Sequence, residues 1–261
     1  MLTPLQVGQF RAMGFLKIEG CLSPAEVERF QTTYDRLIAK APPYDYFEEN
    51  LGLPSRGTLN HNTAESDDDF AYFIEHKNIV DAQCDIFGRP CFFQGGSVWL
   101  NHSNTPWHSD VLGDPERDPD FFHVKVAIYL DELGADSGSL NVIPGSHFPA
   151  FGQALLDECG YKEGGKRPRL HLESPPGAVS VATTPGDVVF FDTRVWHSAF
   201  YREGGRRTAF LQYVPDPGDS TLRQQQVRDC FKSFPYTQHL IDTGGPLRHQ
   251  MVARMRELSI S

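Results

Sequence analysis

The chain changes texture at Pro90, and that change constrains its fold more than any other feature. Up to Phe87 apolar residues recur at helical spacing, whereas beyond Pro90 short runs rich in Val, Ile, Phe and Tyr alternate with clusters of Gly, Pro, Asn and Asp. The candidate strands are Cys91–Leu100, Phe122–Leu130, Ser139–Ile143, Ala178–Val181, Asp187–Asp192 and Arg207–Val214. Short strands at that spacing are the rhythm of an all-β sandwich or barrel. A doubly wound βαβ sheet needs strands and helices to alternate. Helices first and strands afterwards point instead to a mainly β double-sheet jelly roll, cupin-like, with helices packed outside it.

The flanking segments carry their own start and stop signals. Thr3-Pro4 and Ser23-Pro24-Ala25-Glu26 both place proline at a first helical position, and Glu26 lies three residues after Ser23, as in a capping box. Val27, Phe30, Tyr34, Leu37 and Ile38 then recur on one helical face, so residues 3–39 read as two helices around a turn. Residues 40–69, with Pro, Gly, Asn and the acidic run Glu65 to Asp69, read as a long loop. Phe70 to Phe87 is helical again and stops at Gly88-Arg89-Pro90. The tail from Asp219 returns to helical character, broken at Thr243-Gly244-Gly245-Pro246. At 261 residues the expectation is one domain, with helices over 3–88, a jelly-roll core over 91–215 and a helical tail over 219–261.

A formal charge of −10 excludes the basic footprint that grips a phosphate backbone or an anionic membrane, so neither nucleic acid nor membrane is expected as a partner. The five cysteines are scattered without a C-x-x-C pair, which suits buried thiols in a reducing compartment better than a disulfide framework. With no signal-like N-terminus and no run of eighteen or so apolar residues, the expected location is cytoplasmic. Oligomeric state is not legible. A G-x-S-x-G elbow, H-E-x-x-H, a Walker A loop and a G-x-G-x-x-G turn are all missing from the sequence.

Chemistry concentrates in two segments. In Trp107-His108-Ser109-Asp110 the strand-like alternation sends His108 and Asp110 to the same side, so the two can share one metal. An H-x-D alone is common. The second segment, Pro185-Gly186-Asp187 followed by an apolar strand, delivers His197 at its far end. Two imidazoles and one carboxylate on one face of an octahedral ion leave three open positions, the mark of oxygen-activating Fe(II) sites. Zinc more often takes a tetrahedral set richer in His or Cys. Arg206-Arg207-Thr208 opens a strand about ten residues beyond His197. An α-keto acid chelating the iron needs a planar, bidentate partner for its distal carboxylate, and Arg207 is the expected one.

Together these segments resemble the phytanoyl-CoA dioxygenase family of Fe(II)/2-oxoglutarate oxygenases from Gly14 to about Val214. The likeness rests on Gly14-Phe15-Leu16, Leu22 to Glu26, His108-Ser109-Asp110, Tyr129 to Leu133, Gly138 to His147, Pro185-Gly186-Asp187, His197 and Arg207-Thr208-Ala209. The resemblance implies a double-stranded β-helix that takes Fe(II), 2-oxoglutarate and O2 at its mouth. His108, Asp110 and His197 fall on the family's metal ligands and Arg207 on its 2-oxoglutarate arginine. Family members often carry a hydroxyl two positions after the distal histidine; here Ser198 is one position on, so Ser198 and Thr208 are both candidates for that contact. Halogenating relatives replace the metal carboxylate with a small residue. This chain keeps Asp110, so hydroxylation, desaturation or ring formation of a small molecule is expected.

Further residues are candidates for lining the same pocket. Lys125 shares a strand face with Ala127 and Tyr129 and could pair with an anionic group of substrate or co-substrate, although a lysine at a strand end is equally a snorkelling side chain. Trp99 sits on a strand leading to the metal motif, among co-substrate contacts or simply in the core. His102, in the turn before that motif, and His123 are candidate substrate contacts, while His147 reads as a turn stabiliser. The stretch Tyr161 to His171 is locally basic, and Lys166, Arg167 and Arg169 suggest a lid that greets an anionic substrate. Two other functional classes compete: a metal-dependent isomerase or hydrolase on a cupin-like barrel, and a non-catalytic ligand-binding β-domain.

Overall fold

The computed structural model describes residues 1–39, 43–48, 53–61, 67–101, 105–111, 120–135, 137–161, 168–171, 174–200, 206–233 and 236–260. Its helices are α1 (Pro4–Met13), α2 (Pro24–Ile38), α3 (Asp68–Ile74), α4 (Lys77–Phe87), α5 (Pro149–Cys159), α6 (Thr221–Ser233), α7 (Gln238–Asp242) and α8 (Pro246–Ile260). Its strands are β1 (Phe15–Ile18), β2 (Pro43–Glu48), β3 (Leu53–His61), β4 (Cys91–Asn101), β5 (Thr105–His108), β6 (Val124–Tyr129), β7 (Leu140–Val142), β8 (Gly160–Tyr161), β9 (Arg169–Leu170), β10 (Val179–Val181), β11 (Val188–Asp192), β12 (His197–Ala199) and β13 (Arg206–Pro215).

The helix starts form as their sequences dictate. Thr3 Oγ1 accepts from Gln6 N at 3.2 Å while Gln6 Oε1 accepts from Thr3 N at 2.9 Å, and Ser23 and Glu26 repeat this reciprocal cap on α2. At the other end of α1, Gly14 turns left-handed at φ 80°. A Cβ there would lie 2.4 Å from Val195 and 2.5 Å from His147, so only glycine fits. The tight turn launches β1, which pairs antiparallel with β11. That four-residue strand was read as part of a turn, because it is too short to display a period of its own.

Among the described residues the strands form two antiparallel sheets, ordered β1-β11-β6-β13-β4-β3-β2 and β10-β7-β12-β5-β9-β8. The face of the larger sheet carrying Val124, Val126, Ile128, Val188, Phe190, Ala209 and Leu211 is covered by α2, α3, α4 and α8 through Phe30, Phe70, Phe73, Ile79 and Met255. The opposite face carries Ala127, Tyr129, Val189, Phe191 and Phe210 and packs on Leu140, Val142 and Val181 of the smaller sheet. Trp107, Ile143, Leu170 and Trp196 form a further cluster with Leu155 and Leu156 of α5. The result is the jelly roll with outer helices that the order of elements implied.

Three local expectations change. The loop expected over residues 40–69 contains the paired strands β2 and β3, which extend the larger sheet beyond β4; turn-forming Pro, Gly and Asn masked a hairpin that its partner strand holds. The helix expected from Phe70 to Phe87 divides into α3 and α4 at Glu75-His76, where Ile79 and Val80 amides both donate to the His76 carbonyl and start a new helix. Helix α5, after Phe148-Pro149, was not foreseen, although proline at its first turn is a start signal. No described helix is long and apolar enough to cross a membrane.

Candidate metal centre

His108 closes β5 and His197 opens β12, and the register of these neighbouring strands sets the two residues directly opposite each other. Their imidazole centroids lie 4.1 Å apart, with the Phe191 ring 4.9 Å from that of His197. Asp110 is brought to them by its backbone: the amides of Asp110 and Val111 donate to the Thr193 carbonyl at 3.0 and 3.2 Å. Between the ligand candidates, Ser109 is fully buried. Its Oγ lies 2.9 Å from the Val111 carbonyl and 3.0 Å from that of Arg194, stitching the His-Ser-Asp turn to the turn that precedes His197.

The hydrogen bonds also settle which imidazole nitrogen faces Asp110. His108 Nδ1 is 2.8 Å from the Pro106 carbonyl and His197 Nδ1 is 2.9 Å from the Val195 carbonyl. A carbonyl only accepts, so each Nδ1 carries a proton and it is Nε2 of each ring that is turned to the other side. His108 Nε2 stands 3.8 Å from Asp110 Oδ1 and His197 Nε2 stands 4.0 Å from Oδ2. One ligand atom from each of the three residues falls within 4.8 Å of the others, the one such His/Cys/Asp/Glu grouping among the described residues. Two imidazole lone pairs and a carboxylate on buried, hydrogen-bonded supports fit a divalent metal that prefers mixed N/O donors. When bound there, ferrous iron supplies oxygen activation.

Lys125 points into the same space. Its Nζ contacts Asp110 Oδ2, and it lies 5.9 Å from the centroid of the Phe210 ring. In the sheet Lys125 stands opposite Phe191 on one side and Gln212 on the other. Gln212 Nε2 donates to Gln94 Oε1 at 2.8 Å and lies 3.4 Å from His123 Nδ1, so a polar wall adjoins the metal carboxylate.

Arg207 does not face this space. Phe210 packs between the two sheets while Ala209 and Leu211 join the helix-side core, so alternation along β13 sends Arg207 to the helix side and Arg206 and Thr208 inward. The contacts agree: Arg207 Nε and Nη2 donate to Asp131 Oδ1 at 3.1 and 2.9 Å, and Nη1 reaches Asp35 of α2 at 3.4 Å. Arg206 is only 3% exposed. Its Nη1 donates to the Phe200 carbonyl, and burial pushes its pKa below the ordinary arginine value against the opposing influence of Tyr129. Which of the two arginines faces inward was hidden in the sequence for a physical reason. Both faces of β13 are covered, so the strand reads as a nearly continuous apolar run in which parity is invisible. Arg206 was therefore passed over, and so was Gln212.

Ser198 also lies on the other face of its strand. It follows His197 on β12 and thus points to the opposite face, where it pairs in register with Asn141. Thr208 is buried on the inward row, opposite Tyr129 and Trp99 in register. Trp99 is described by its backbone alone. Arg169 lies on β9 opposite His108, bringing one end of the basic stretch beside the site. His102 and Arg167, like Lys166, lie outside the described residues. His147 is the turn element expected, with Nε2 3.0 Å from the Arg11 carbonyl.

This fold with this donor set is that of the non-haem iron, 2-oxoglutarate-dependent oxygenases. The chain belongs to the phytanoyl-CoA dioxygenase (PhyH) family, which it matches over residues 10–209. It is 24% identical over 202 residues to the ectoine dioxygenase of Streptomyces coelicolor, an alignment covering 72% of this chain and 66% of that protein's length. Among solved structures it is similar to the non-haem α-ketoglutarate-dependent epimerase SnoN from nogalamycin biosynthesis, with a TM-score of 0.62, 17% identity and coverage of 84% of this chain and 85% of that one. It is likewise similar to HygX from Streptomyces hygroscopicus with nickel and 2-oxoglutarate bound, with a TM-score of 0.62, 21% identity and coverage of 83% and 88%.

Proposed function

We propose that this chain is an Fe(II)/2-oxoglutarate-dependent dioxygenase that hydroxylates a small anionic metabolite or natural-product intermediate. The observation that carries the reading is the convergence of His108, Asp110 and His197 with both imidazole tautomers fixed by backbone carbonyls. In this reading those three residues hold the iron. Arg206, the buried guanidinium on the inward face of β13, takes the distal carboxylate of 2-oxoglutarate in place of Arg207, with Thr208 beside it. The aromatic walls from Phe191 and Phe210 keep water from the reacting centre.

For the substrate, support comes from Lys125 and the Gln212–Gln94–His123 chain, which give a cation and several hydrogen-bonding groups next to Asp110. Such a wall suits a polar molecule carrying a carboxylate or phosphate. Arg169, entering from β9, adds positive charge at the rim. The names of the relatives, an ectoine dioxygenase and an enzyme solved with hygromycin B, are consistent with a small polar substrate. The test is succinate release by Fe(II)-loaded protein from 2-oxoglutarate, alone and with a panel of anionic and neutral metabolites. Stimulation by anionic members and loss in Lys125→Met are expected. A protein that turns over no 2-oxoglutarate with any member and takes up no metal would refute the proposal.

A further inference from the structure

Cys84 lies in the last turn of α4 and Cys91 is the first residue of β4. The connection between these elements is only Gly88-Arg89-Pro90, with Gly88 at φ 66° reversing the chain. That tight reversal brings the two sulfurs to 3.7 Å. We propose that Cys84 and Cys91 are a reversible dithiol–disulfide modification site, with Cys84 as the attacking thiol, Cys91 as the resolving thiol and a small disulfide of the oxidised-glutathione class as oxidant.

Exposure assigns the roles. Cys84 is half-buried, whereas Cys91 is 5% exposed and so better shielded from a bulky oxidant. Electrostatics agree with that order. The hydrogen bond between the two sulfurs, together with the Cys91 amide, draws the Cys84 thiol down, overcoming burial and the nearby Asp81 and Asp85 carboxylates. The same hydrogen bond, with burial, pushes Cys91 up. A thiol whose pKa is lowered offers more thiolate at physiological pH, and the thiolate is the nucleophile. Cys21 provides the contrast, since burial first and Glu26 second raise it to about 11.

The chemistry balances. The Cys84 thiolate attacks one sulfur of oxidised glutathione, forming a mixed disulfide and expelling one glutathione thiolate, which takes up a proton. Cys91 then gives up its proton and attacks the Cys84 sulfur, forming the internal bond and expelling the second glutathione. Two protein thiols are oxidised and one disulfide is reduced to two thiols. A disulfide bond is about 2.05 Å long, so the sulfurs must close by less than about 2 Å, a distance side-chain rotation covers. The product would tie the end of α4 to the start of β4, the strand hydrogen-bonded along its length to β13. The inference is independent of the oxygenase reading.

The test uses the full chain, reduced, desalted and then incubated with excess oxidised glutathione. Wild-type protein should lose two thiols, become lighter by two hydrogens and yield, after cleavage on the N-terminal side of Asp85, two peptides joined through residues 84 and 91. Cys91→Ser should stop at one glutathionyl group on Cys84, and Cys84→Ser should leave Cys91 unmodified when wild type has fully reacted. Wild-type protein that keeps both thiols, or that cross-links through Cys21 or Cys159, overturns the proposal without any need of a variant.

Discussion

Arg206 and Arg207 are neighbours on β13, yet their guanidinium groups lie on opposite sides of the same sheet. Arg207 is held by Asp131 and Asp35 against the helices, while Arg206 is buried on the side that faces the smaller sheet. The two substitutions should therefore separate cleanly. Arg206→Ala should weaken 2-oxoglutarate binding to Ni(II)-loaded protein by roughly 10- to 100-fold, the scale of hydrogen bonds to a charged group. Calorimetric titration reads that loss. Arg207→Ala should leave the affinity within about twofold and instead lower unfolding stability by about 1–2 kcal/mol, because the partly buried Asp131 carboxylate loses its partner. The reverse pattern would restore Arg207 to the co-substrate.

The fixed tautomers of His108 and His197 make a thermal prediction. A preorganised site binds metal in the folded state and not in the unfolded chain, so added Mn(II) or Ni(II) should raise the Tm of wild-type protein. The gain is RT ln(1 + [L]/Kd), about 2.7 kcal/mol at a hundredfold excess over Kd. His108→Ala, Asp110→Ala and His197→Ala should each abolish the shift and reduce 2-oxoglutarate turnover at least about 100-fold. Treatment with EDTA followed by Fe(II) should remove and restore wild-type turnover but restore none of the variants. A full shift in His197→Ala would mean that the ion sits elsewhere.

Ser109 should prove more consequential than a small polar residue usually is. Its hydroxyl, buried with no exposure, joins the Val111 and Arg194 carbonyls and so couples Asp110 to the turn that leads into His197. Ser109→Ala removes the one hydroxyl proton that the Val111 and Arg194 carbonyls share, at a cost of about 1–3 kcal/mol. It should also loosen the carboxylate by several-fold in metal affinity, as loss of an orienting contact does. Urea unfolding and metal titration of the same variant check both effects; a stability loss with unchanged metal affinity would make the contact purely structural.

What the sequence revealed follows from which signals are local. The helix starts at Thr3-Pro4 and Ser23-Pro24, and the Ser23–Glu26 capping box, were readable because their partners lie within three residues. The clustering of His108, Asp110 and His197 was readable because His108 and Asp110 share strand parity and His197 ends a strand opened by a Pro-Gly-Asp turn. The choice between Arg206 and Arg207 was not, since it depends on which of two covered faces of β13 meets the other sheet. Strand β1 was missed for a related reason: four residues carry too little pattern, and β11 alone makes them a strand. The Cys84–Cys91 contact joins a helix end to a strand start, where neither period extends across the junction.

Glu26 sets the acid end of the stability profile. Burial by itself would raise this carboxyl, but hydrogen bonds from the Ser23 amide at 2.8 Å, the Ser23 hydroxyl at 2.7 Å, the Tyr72 hydroxyl at 2.7 Å and His76 at 2.9 Å outweigh it. Together they hold the group at about 2 against an ordinary value of 4.5. A carboxyl depressed in the folded state binds protons more tightly once the chain unfolds. Its contribution is therefore complete above about 4.5 and disappears as the pH falls through that value towards 2. Glu26→Gln keeps the shape but not the charge, so its Tm should lie below wild type at neutral pH, and the two curves should converge as the pH falls to about 2. Parallel thermal melts from about pH 7 to about pH 2 measure the gap. A gap that stays constant across that range would mean that the carboxylate's charge contributes nothing to the α2–α3 contact, and that only the shape of the cap matters.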